Sequence, residues 1–194
     1  MRSGVLRRCE VNVVKESVTV LGSHERAMSR LISMFDIPVI QNNLRGLYVE
    51  AMVAGNLSAK WKSVGSDWRA WDLQHEDGTR LEVKQSAAHQ SWSEKIGGVA
   101  SARFRIEASK QPWDGTRYIA GGGRMANIYV FAWHDGLAKK PDHRVPEQWV
   151  FYVVSEAKLP HQKSIGLSPL RKIVQPISAS NLDDAVEAIR KKGV

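Results

Sequence analysis

Residues 68–86 read WRAWDLQHEDGTRLEVKQS, and this stretch decides the fold. Two runs with strand character lie on either side of the polar tetrapeptide His75-Glu76-Asp77-Gly78. Asp-Gly favours a tight turn because both residues tolerate a positive φ. The sequence therefore predicts a β-hairpin, with one strand from Trp68 to Gln74 and the other from Thr79 to Ser86.

The segments around this hairpin predict a mixed sheet flanked by helices. Before it, we expect a helix over residues 23–35, capped by Ser23 and ended by Pro38, because apolar residues recur at helical spacing. A second helix is expected from Leu44 to Lys60, capped by Asn42 or Asn43. After the hairpin we expect residues 87–100 to be helical at first, with a break at Gly97-Gly98. We then expect a short strand at 104–106, buried strands at 127–134 and 148–155, and an amphipathic helix at 180–192 with Leu182, Ala185, Val186 and Ile189 on its apolar face.

This order of elements predicts an α/β or α+β fold with a central mixed sheet. The 194 residues fit one domain, so we expect a single domain over residues 1–194. Residues 11–21 alternate loosely around valines, which is compatible with a short strand or with a poorly ordered segment. Residues 1–22 are accordingly interpreted as a loosely ordered N-terminal arm, if they are not part of the sheet.

Composition narrows the classes of protein that remain. The formal net charge is +8, from 28 basic and 20 acidic residues, and such a balance suits a polyanionic partner. The single cysteine, Cys9, excludes an internal disulfide and a Cys-rich zinc site. No apolar run has the ~20 residues of a membrane span, and no secretory signal is recognisable. The simplest expectation is a cytoplasmic protein without a membrane partner.

The predicted hairpin concentrates acidic and basic side chains on one face. In a strand, residues two apart point the same way, so Glu82, Lys84 and Ser86 project together while Leu81 and Val83 point into a core. The turn brings Asp72, on the first strand, alongside Glu82.

The preceding helix adds a third carboxylate. Its residues Leu47, Ala54 and Leu57 share one face, and Glu50 lies on or near this apolar stripe. Two carboxylates can hold Mg²⁺, a hard cation that prefers oxygen ligands. Such a metal polarises a phosphoryl group and activates water, while Lys84 can orient that water and offset negative charge.

The spacing Asp72, nine residues, then Glu82-Val83-Lys84 resembles the PD-(D/E)xK pattern of restriction-endonuclease-like nucleases. Glu50 matches a glutamate on the preceding helix, and Gln85 also resembles some members, whereas Trp71 replaces the motif's proline. The resemblance covers about residues 44–90. It implies a Mg²⁺-dependent endonuclease acting on DNA, in which Mn²⁺ can substitute for Mg²⁺.

The resemblance also implies residue roles. Asp72, Glu82 and Glu50 would bind the metal, and Lys84 would assist the water. Independently of the resemblance, Gln85, Ser86 and Gln90 lie close after Lys84, where they can adjoin these groups or touch DNA, although plain surface polar residues would look the same. The resemblance implies the αβββαβ core of the family and cleavage that leaves a 5′-phosphate, and it allows a homodimer that cuts both strands.

Three alternatives stay open. Asp72 and Lys84 can form a plain cross-strand ion pair, with Glu82 a surface acid. The chain can be a nucleic-acid-binding or complex-assembly protein that keeps the fold without catalysis, or a nuclease for branched DNA or RNA. A second Glu-x-Lys tripeptide, Glu156-Ala157-Lys158, shows how little the tripeptide means alone, since it lacks the hairpin, the partner aspartate and the helix glutamate.

Other side chains near the predicted site favour ordinary structural roles. The six histidines have no metal-binding spacing, and His134 is best interpreted as a strand end. Gly121-Gly122-Gly123 predicts a loop and lacks the elements of a P-loop. Core packing explains most of the tryptophans around the hairpin, and base stacking is an alternative that the sequence does not support. These tryptophans are Trp61, Trp68, Trp71 and Trp92.

Overall fold

A computed structural model of the chain describes residues 11–65, 68–92 and 100–193, and of residues 11–21 it describes only the backbone. The chain divides into two compact units, residues 1–37 and 38–194. In the first unit, helix α1 spans Val11–Phe35. The helix predicted over 23–35 is therefore confirmed, as is its end before Pro38. It starts earlier than predicted, so Ser23 is not its cap, and a strand over 11–21 is wrong.

The described residues of the second unit contain the sheet and three further α-helices. Its elements are α2 (Asn42–Gly55), β1 (Trp61–Ser63), β2 (Leu73–His75), β3 (Arg80–Ala87), β4 (Arg103–Arg105), β5 (Ile128–His134), β6 (Trp149–Ser155), β7 (Ser164–Gly166), α3 (Leu167–Ile173) and α4 (Leu182–Arg190). Short 3-10 turns occupy Pro146–Gln148, Glu156–Lys158 and Ala179–Asn181. None of the described helices combines the length and the apolar character that a membrane span requires.

The central sheet is mixed, as predicted. Its strand order is β1-β2-β3-β5-β6. Strands β1, β2 and β3 are antiparallel neighbours, β3 and β5 run parallel, and β6 is antiparallel to β5. Strands β4 and β7 form a separate antiparallel pair. The chain thus has a mixed α/β fold in which one helix precedes three antiparallel strands and a parallel fourth.

The predicted hairpin is confirmed, with a shorter first strand. Leu73 pairs with Leu81, and the His75 N–H donates to the Thr79 carbonyl at 2.9 Å across the turn. Gly78 has a φ of 90°, which a glycine adopts without strain. The strand does not begin at Trp68 because the chain pairs elsewhere first: the Ala70 N–H donates to the Trp113 carbonyl at 2.9 Å.

Each face of the sheet carries its own apolar layer, because successive residues of a strand point to opposite faces. Leu81 and Val83 of β3 are buried against α2 and α4, as predicted for the face away from Glu82. Tyr129 and Phe131 of β5 belong to the layer on the opposite face. Strands β5 and β6 contribute to both layers, which explains their almost uninterrupted apolar sequences.

The helix predicted to start within residues 87–100 is wrong for its described part. Strand β3 continues to Ala87, and residues 88–92 contain no helix. The Ala88 N–H donates to the His134 carbonyl at 2.8 Å, so the chain stays bonded to β5 beyond the strand. Ala87 and Ala88 are fully buried, and their burial stabilises this extended path. Gly97-Gly98 lies outside the described residues.

Helix α2 is confirmed, but it is rotated relative to the prediction. Its buried residues are Arg45, Val49 and Val53, at i, i+4 and i+8, whereas Leu47 is 58% exposed. The helix ends at Gly55 rather than Lys60, and β1 follows at Trp61. The expected asparagine cap is also wrong. Gln41 occupies the N-cap position and makes no side-chain capping hydrogen bond.

The later strands and the last helix agree with the prediction. Strands β4, β5 and β6 lie within a residue or two of the predicted ranges, and α4 buries Leu182 and Val186. Asn181 is the N-cap residue of α4, although its side chain makes no capping hydrogen bond. The sequence did not predict β7 and α3, which are short and lack a clear apolar period.

Candidate functional site

Strand β3 places Glu82 and Lys84 side by side on one face. Both are half-buried, while Leu81 and Val83, which alternate with Glu82, are buried on the other face. The Lys84 Nζ contacts Glu82 Oε1 directly. The ion pair in this hairpin therefore joins two residues of the same strand, rather than Asp72 and Lys84 across the strands.

Asp72 precedes β2 and is held firmly beside β3. Its N–H donates to the Leu81 carbonyl at 3.0 Å, and its Oδ2 accepts a hydrogen bond from the Val83 N–H at 2.7 Å. Gly65 makes this position possible, because a Cβ there would come within 3.1 Å of Asp72 Oδ1. The carboxylate is thus fixed by backbone groups and needs no flexible partner.

Glu50 of α2 completes the group. It is half-buried, and burial, followed by the charges of Asp72 and Glu82, raises the pKa of Glu50 to about 7. Val49, its neighbour in the helix, points into the core, so Glu50 lies at the edge of the buried stripe. The prediction that Glu50 projects near the apolar face therefore agrees with the structure, even though the stripe itself was misplaced.

Burial is the main reason why the pKa values of the carboxyl groups in the cluster are raised. Burial raises the pKa of Glu82 to about 7, although the Lys84 ammonium opposes the shift. Burial also raises the pKa of Asp72, against the hydrogen bond from Val83 and the charge of Lys84. Among the described residues, three carboxyls thus compete to ionise beside the one ammonium of Lys84, which leaves this group of four side chains short of positive charge at neutral pH.

Lys84 remains cationic in this setting. Burial lowers the pKa of Lys84, but the nearby carboxylates, led by Glu82, raise it by more, so the pKa lies above its ordinary value. The structure therefore brings together all four side chains that the sequence singled out as central: Glu50, Asp72, Glu82 and Lys84.

The donor set suits a hard divalent cation in its chemistry, since every candidate ligand is a carboxylate oxygen. Its present arrangement is not that of a closed metal site. Within residues 11–65, 68–92 and 100–193, no three His, Cys, Asp or Glu side chains converge closely enough to hold a metal ion. Glu82 is engaged by Lys84 instead.

Gln85 and Ser86 connect the site to its surroundings. Gln85 Oε1 accepts a hydrogen bond from Arg45 Nε at 2.7 Å, which ties β3 to helix α2. Ser86 Oγ accepts a long bond, 3.5 Å, from the Arg103 N–H of strand β4. Both side chains thus contact groups that adjoin the site.

Arg45 is a residue that the sequence analysis missed. It is 1% exposed, and its guanidinium donates to Gln85, to Gln90 Oε1 at 3.0 Å and to Asn42 Oδ1 at 2.7 Å. Burial lowers the pKa of Arg45 to about 10, so it stays charged at neutral pH. Asn42, which was expected to cap α2, accepts a hydrogen bond from Arg45 instead. The sequence did contain a signal for its burial: Arg45 lies four residues before Val49, and therefore on the same face of α2 as the buried Val49 and Val53.

Two open cavities meet at the acidic cluster. The larger, about 860 Å³, has Glu82 and Lys84 in its wall together with several aromatic residues. The smaller, about 470 Å³, is lined by Glu50, Lys84 and Arg45 among others. Lys84 and Arg105 line both cavities, so the cluster lies where a long ligand could pass from one to the other.

The other residues considered from the sequence have structural environments. His134 ends β5, is fully buried and packs against Trp149 with 5.1 Å between the ring centres. Burial lowers its pKa, so it is neutral at pH 7. Residues 121–123 form the predicted loop, in which all three glycines have positive φ.

Comparison with known proteins adds no family to this description. No protein-family model matches the sequence, and no curated protein matches it with statistical significance.

Proposed function

We propose that this chain is a metal-dependent nuclease that hydrolyses phosphodiester bonds in DNA. The observation that carries the proposal is the cluster of Asp72, Glu82 and Lys84 at the junction of two open cavities, with Glu50 so close that the charges of Asp72 and Glu82 raise the pKa of Glu50. The order of one helix, three antiparallel strands and a parallel fourth is compatible with the restriction-endonuclease-like core that the sequence resembles. The net charge of +8 suits a polyanionic substrate.

The charges of the cluster support this chemistry. Three half-buried carboxyls with raised pKa values share one ammonium among the described residues, so full ionisation of all three is unfavourable. A divalent cation would relieve that repulsion, so Mg²⁺, or Mn²⁺ in its place, is the expected cofactor. Asp72 and Glu82 would hold it, with Glu50 as a further ligand or a partner of its bound water. The bound metal would polarise the scissile phosphate and acidify water.

The chain's own groups account for the remaining steps. Asp72 is preoriented by the Val83 N–H, so its carboxylate loses little freedom on binding. Lys84, released from Glu82, can donate to the attacking water or to a phosphate oxygen and offset the developing negative charge. Water adds to phosphorus, the P–O3′ bond breaks, and the leaving oxygen takes up a proton. The products are a 3′-hydroxyl and a 5′-phosphate.

The test is a nicking assay on supercoiled plasmid with Mg²⁺, Mn²⁺ or EDTA. We expect metal-dependent nicking that Glu82→Ala and Lys84→Ala each reduce by about 1,000-fold, the order of loss for groups acting in a transition state. The chain offers a matched control in its second tripeptide. Glu156→Ala and Lys158→Ala should retain nicking, with circular dichroism confirming that all four variants fold.

A second candidate function follows from the Lys84–Glu82 contact itself. If this pair is only structural, the chain is a nucleic-acid-binding or complex-assembly protein without catalysis. Such a protein would bind DNA equally well in EDTA and would cleave no plasmid, branched DNA or RNA. Salt-sensitive binding that is unchanged by Glu82→Ala, together with no cleavage of any of these substrates, would replace the nuclease proposal with this one.

A further inference from the structure

The larger cavity beside the acidic cluster is lined by aromatic rings. Trp68, Trp113 and Tyr118 contribute to its wall, and Glu82 and Lys84 form another part of the same wall. Its volume, about 860 Å³, lies within the range of pockets that hold small organic groups, ~300–1,000 Å³. A strand whose phosphate reaches Lys84 would therefore have an adjacent nucleotide at this aromatic wall.

Two of these rings contribute little to the folded core. Trp68 is 91% exposed and Tyr118 is 67% exposed, although large aromatic residues normally bury most of their surface. Trp68 also has a φ of 61°, the only positive φ of a non-glycine residue in the described ranges. Such a conformation costs roughly 1–3 kcal/mol. Neither packing nor backbone preference accounts for an exposed tryptophan at this position.

The third ring helps to shape the wall. Trp113 and Tyr118 meet edge to face, with 5.0 Å between ring centres and 63° between planes. An isolated bridge between the two residues holds the backbone of this loop together. Tyr118 remains largely exposed despite this contact. The loop thus presents an aromatic face in a defined place.

Cationic side chains near the rings can hold the backbone of a strand. The Arg105 side chain is 81% exposed and lines both cavities, and the exposed Arg103 lines the smaller one. Lys84 lies at the junction of the cavities. Phosphates spaced along a single strand would pass these cations in turn, while a base turns toward the aromatic wall.

We infer that the aromatic wall formed by Trp68, Trp113 and Tyr118 binds an unpaired DNA base next to the phosphate at the acidic cluster. Stacking on aromatic side chains is worth ~1–3 kcal/mol per base. A base inside a duplex has both faces covered by its neighbours, so it reaches such a wall only after leaving the stack. The substrate class is therefore DNA with a single-stranded segment, such as an overhang, a flap or a loop. The inference rests on the proposed function for the cut, but base binding requires no cleavage.

The test measures base stacking directly, on the full chain in EDTA so that no cleavage intervenes. The probe is a short single-stranded oligonucleotide with one 2-aminopurine, whose fluorescence is quenched by stacking. We expect saturable quenching, affinity about 10-fold weaker in Trp68→Ala and in Tyr118→Ala, and near wild-type affinity in Trp68→Phe, which restores a ring. Leu137→Ala, at an 85% exposed apolar residue outside the cavity, is the matched control and should bind normally.

The competing DNA separates this inference from a general affinity for nucleic acid. A blunt duplex of the same sequence should displace the probe much less well than the unlabelled single strand. Equal displacement by both, or quenching that Trp68→Ala and Tyr118→Ala leave unchanged, would overturn the inference.

Failure of the inference can be told apart from failure of the proposed function. Quenching that depends on Trp68, with no cleavage of plasmid, forked DNA, single-stranded DNA or RNA, keeps the inference and removes the nuclease. Nicking that depends on Glu82 together with no stacking keeps the nuclease and removes the inference. If the chain is a nuclease and the aromatic wall also binds a base, a forked substrate should be cut faster than a blunt duplex in the presence of Mg²⁺. Nicking of supercoiled plasmid agrees with this expectation, because negative supercoiling favours local strand separation.

Discussion

The two Glu-x-Lys tripeptides of this chain have the same end residues and opposite surroundings. Glu82-Val83-Lys84 is extended within β3, so its charged ends share a face and its valine is buried. Glu156-Ala157-Lys158 forms a 3-10 turn after β6. There the middle and last residues are exposed. The same residue spacing therefore presents its charges together in one place and apart in the other, because the backbone conformation differs.

Their neighbours differ as much as their backbones. Glu82 lies beside further carboxyls, and burial raises its pKa. Glu156 instead accepts a hydrogen bond at 3.1 Å from Arg124, whose side chain is 5% exposed and also donates to backbone carbonyls. The first tripeptide has excess negative charge and the second is neutralised. A short motif acquires chemical meaning from what the fold places around it.

The largest expected difference comes from reversing the order of charges. Glu82→Lys combined with Lys84→Glu keeps an ion pair but moves the carboxylate away from its place beside Asp72. We expect metal-dependent nicking to fall by about 1,000-fold, since the reacting groups no longer converge. The same swap at 156 and 158 places a lysine beside buried Arg124, so it should cost stability, about 1–2 kcal/mol, and leave the nicking rate of the folded protein intact. Retained nicking in the first swap would show that the pair is only structural.

A smaller difference is expected between Glu50, in the acidic cluster, and Glu156, in the second tripeptide: their substitution should change the free energy of unfolding without metal in opposite directions. The Glu50 pKa is about 7 when folded, above the ordinary value, so the folded state binds the extra proton and loses stability as pH rises from about 4.5 to 7. Glu50→Gln should therefore match wild type near pH 4.5 and exceed its stability by about 1–3 kcal/mol at pH 8. Urea unfolding in EDTA measures this. Glu156→Gln loses the ion pair with Arg124, so it should be less stable than wild type at pH 8. A gain in the stability of Glu156→Gln at that pH would contradict the contrast between the acidic cluster and the second tripeptide.

The smallest effect is the stabilisation by metal. A ligand present at ten times its Kd stabilises the folded state by about 1.4 kcal/mol. Mg²⁺ should raise the Tm of wild type and of Glu156→Gln equally, because Glu156 lies apart from the acidic cluster. Asp72→Asn should abolish the shift while keeping an oxygen for the Val83 N–H. Differential scanning calorimetry provides the measurement, and an undiminished shift in Asp72→Asn would argue against Asp72 as a ligand.

Local sequence was sufficient for the hairpin and for the orientation of its charged residues. The Asp-Gly turn and the alternation of Leu81, Glu82, Val83 and Lys84 are properties of neighbouring residues, and the structure agrees with them. The rotation of α2 was not predictable in this way. Its buried face depends on Arg45, whose partners Gln85 and Gln90 lie 40 and 45 residues away. The predicted stripe was placed from Leu47, Ala54 and Leu57, and it did not include Arg45.

The sequence by itself determined the pairing within the hairpin and singled out the four charged side chains, because periodicity and turn chemistry act over a few residues. Only the tertiary structure decided that Lys84 pairs with Glu82, that Arg45 is buried among amides, and that Trp68 and Tyr118 face one cavity with Glu82. These features join segments far apart in the chain. Their energies depend on burial and on the distance between charges, and those quantities exist only once the chain has folded.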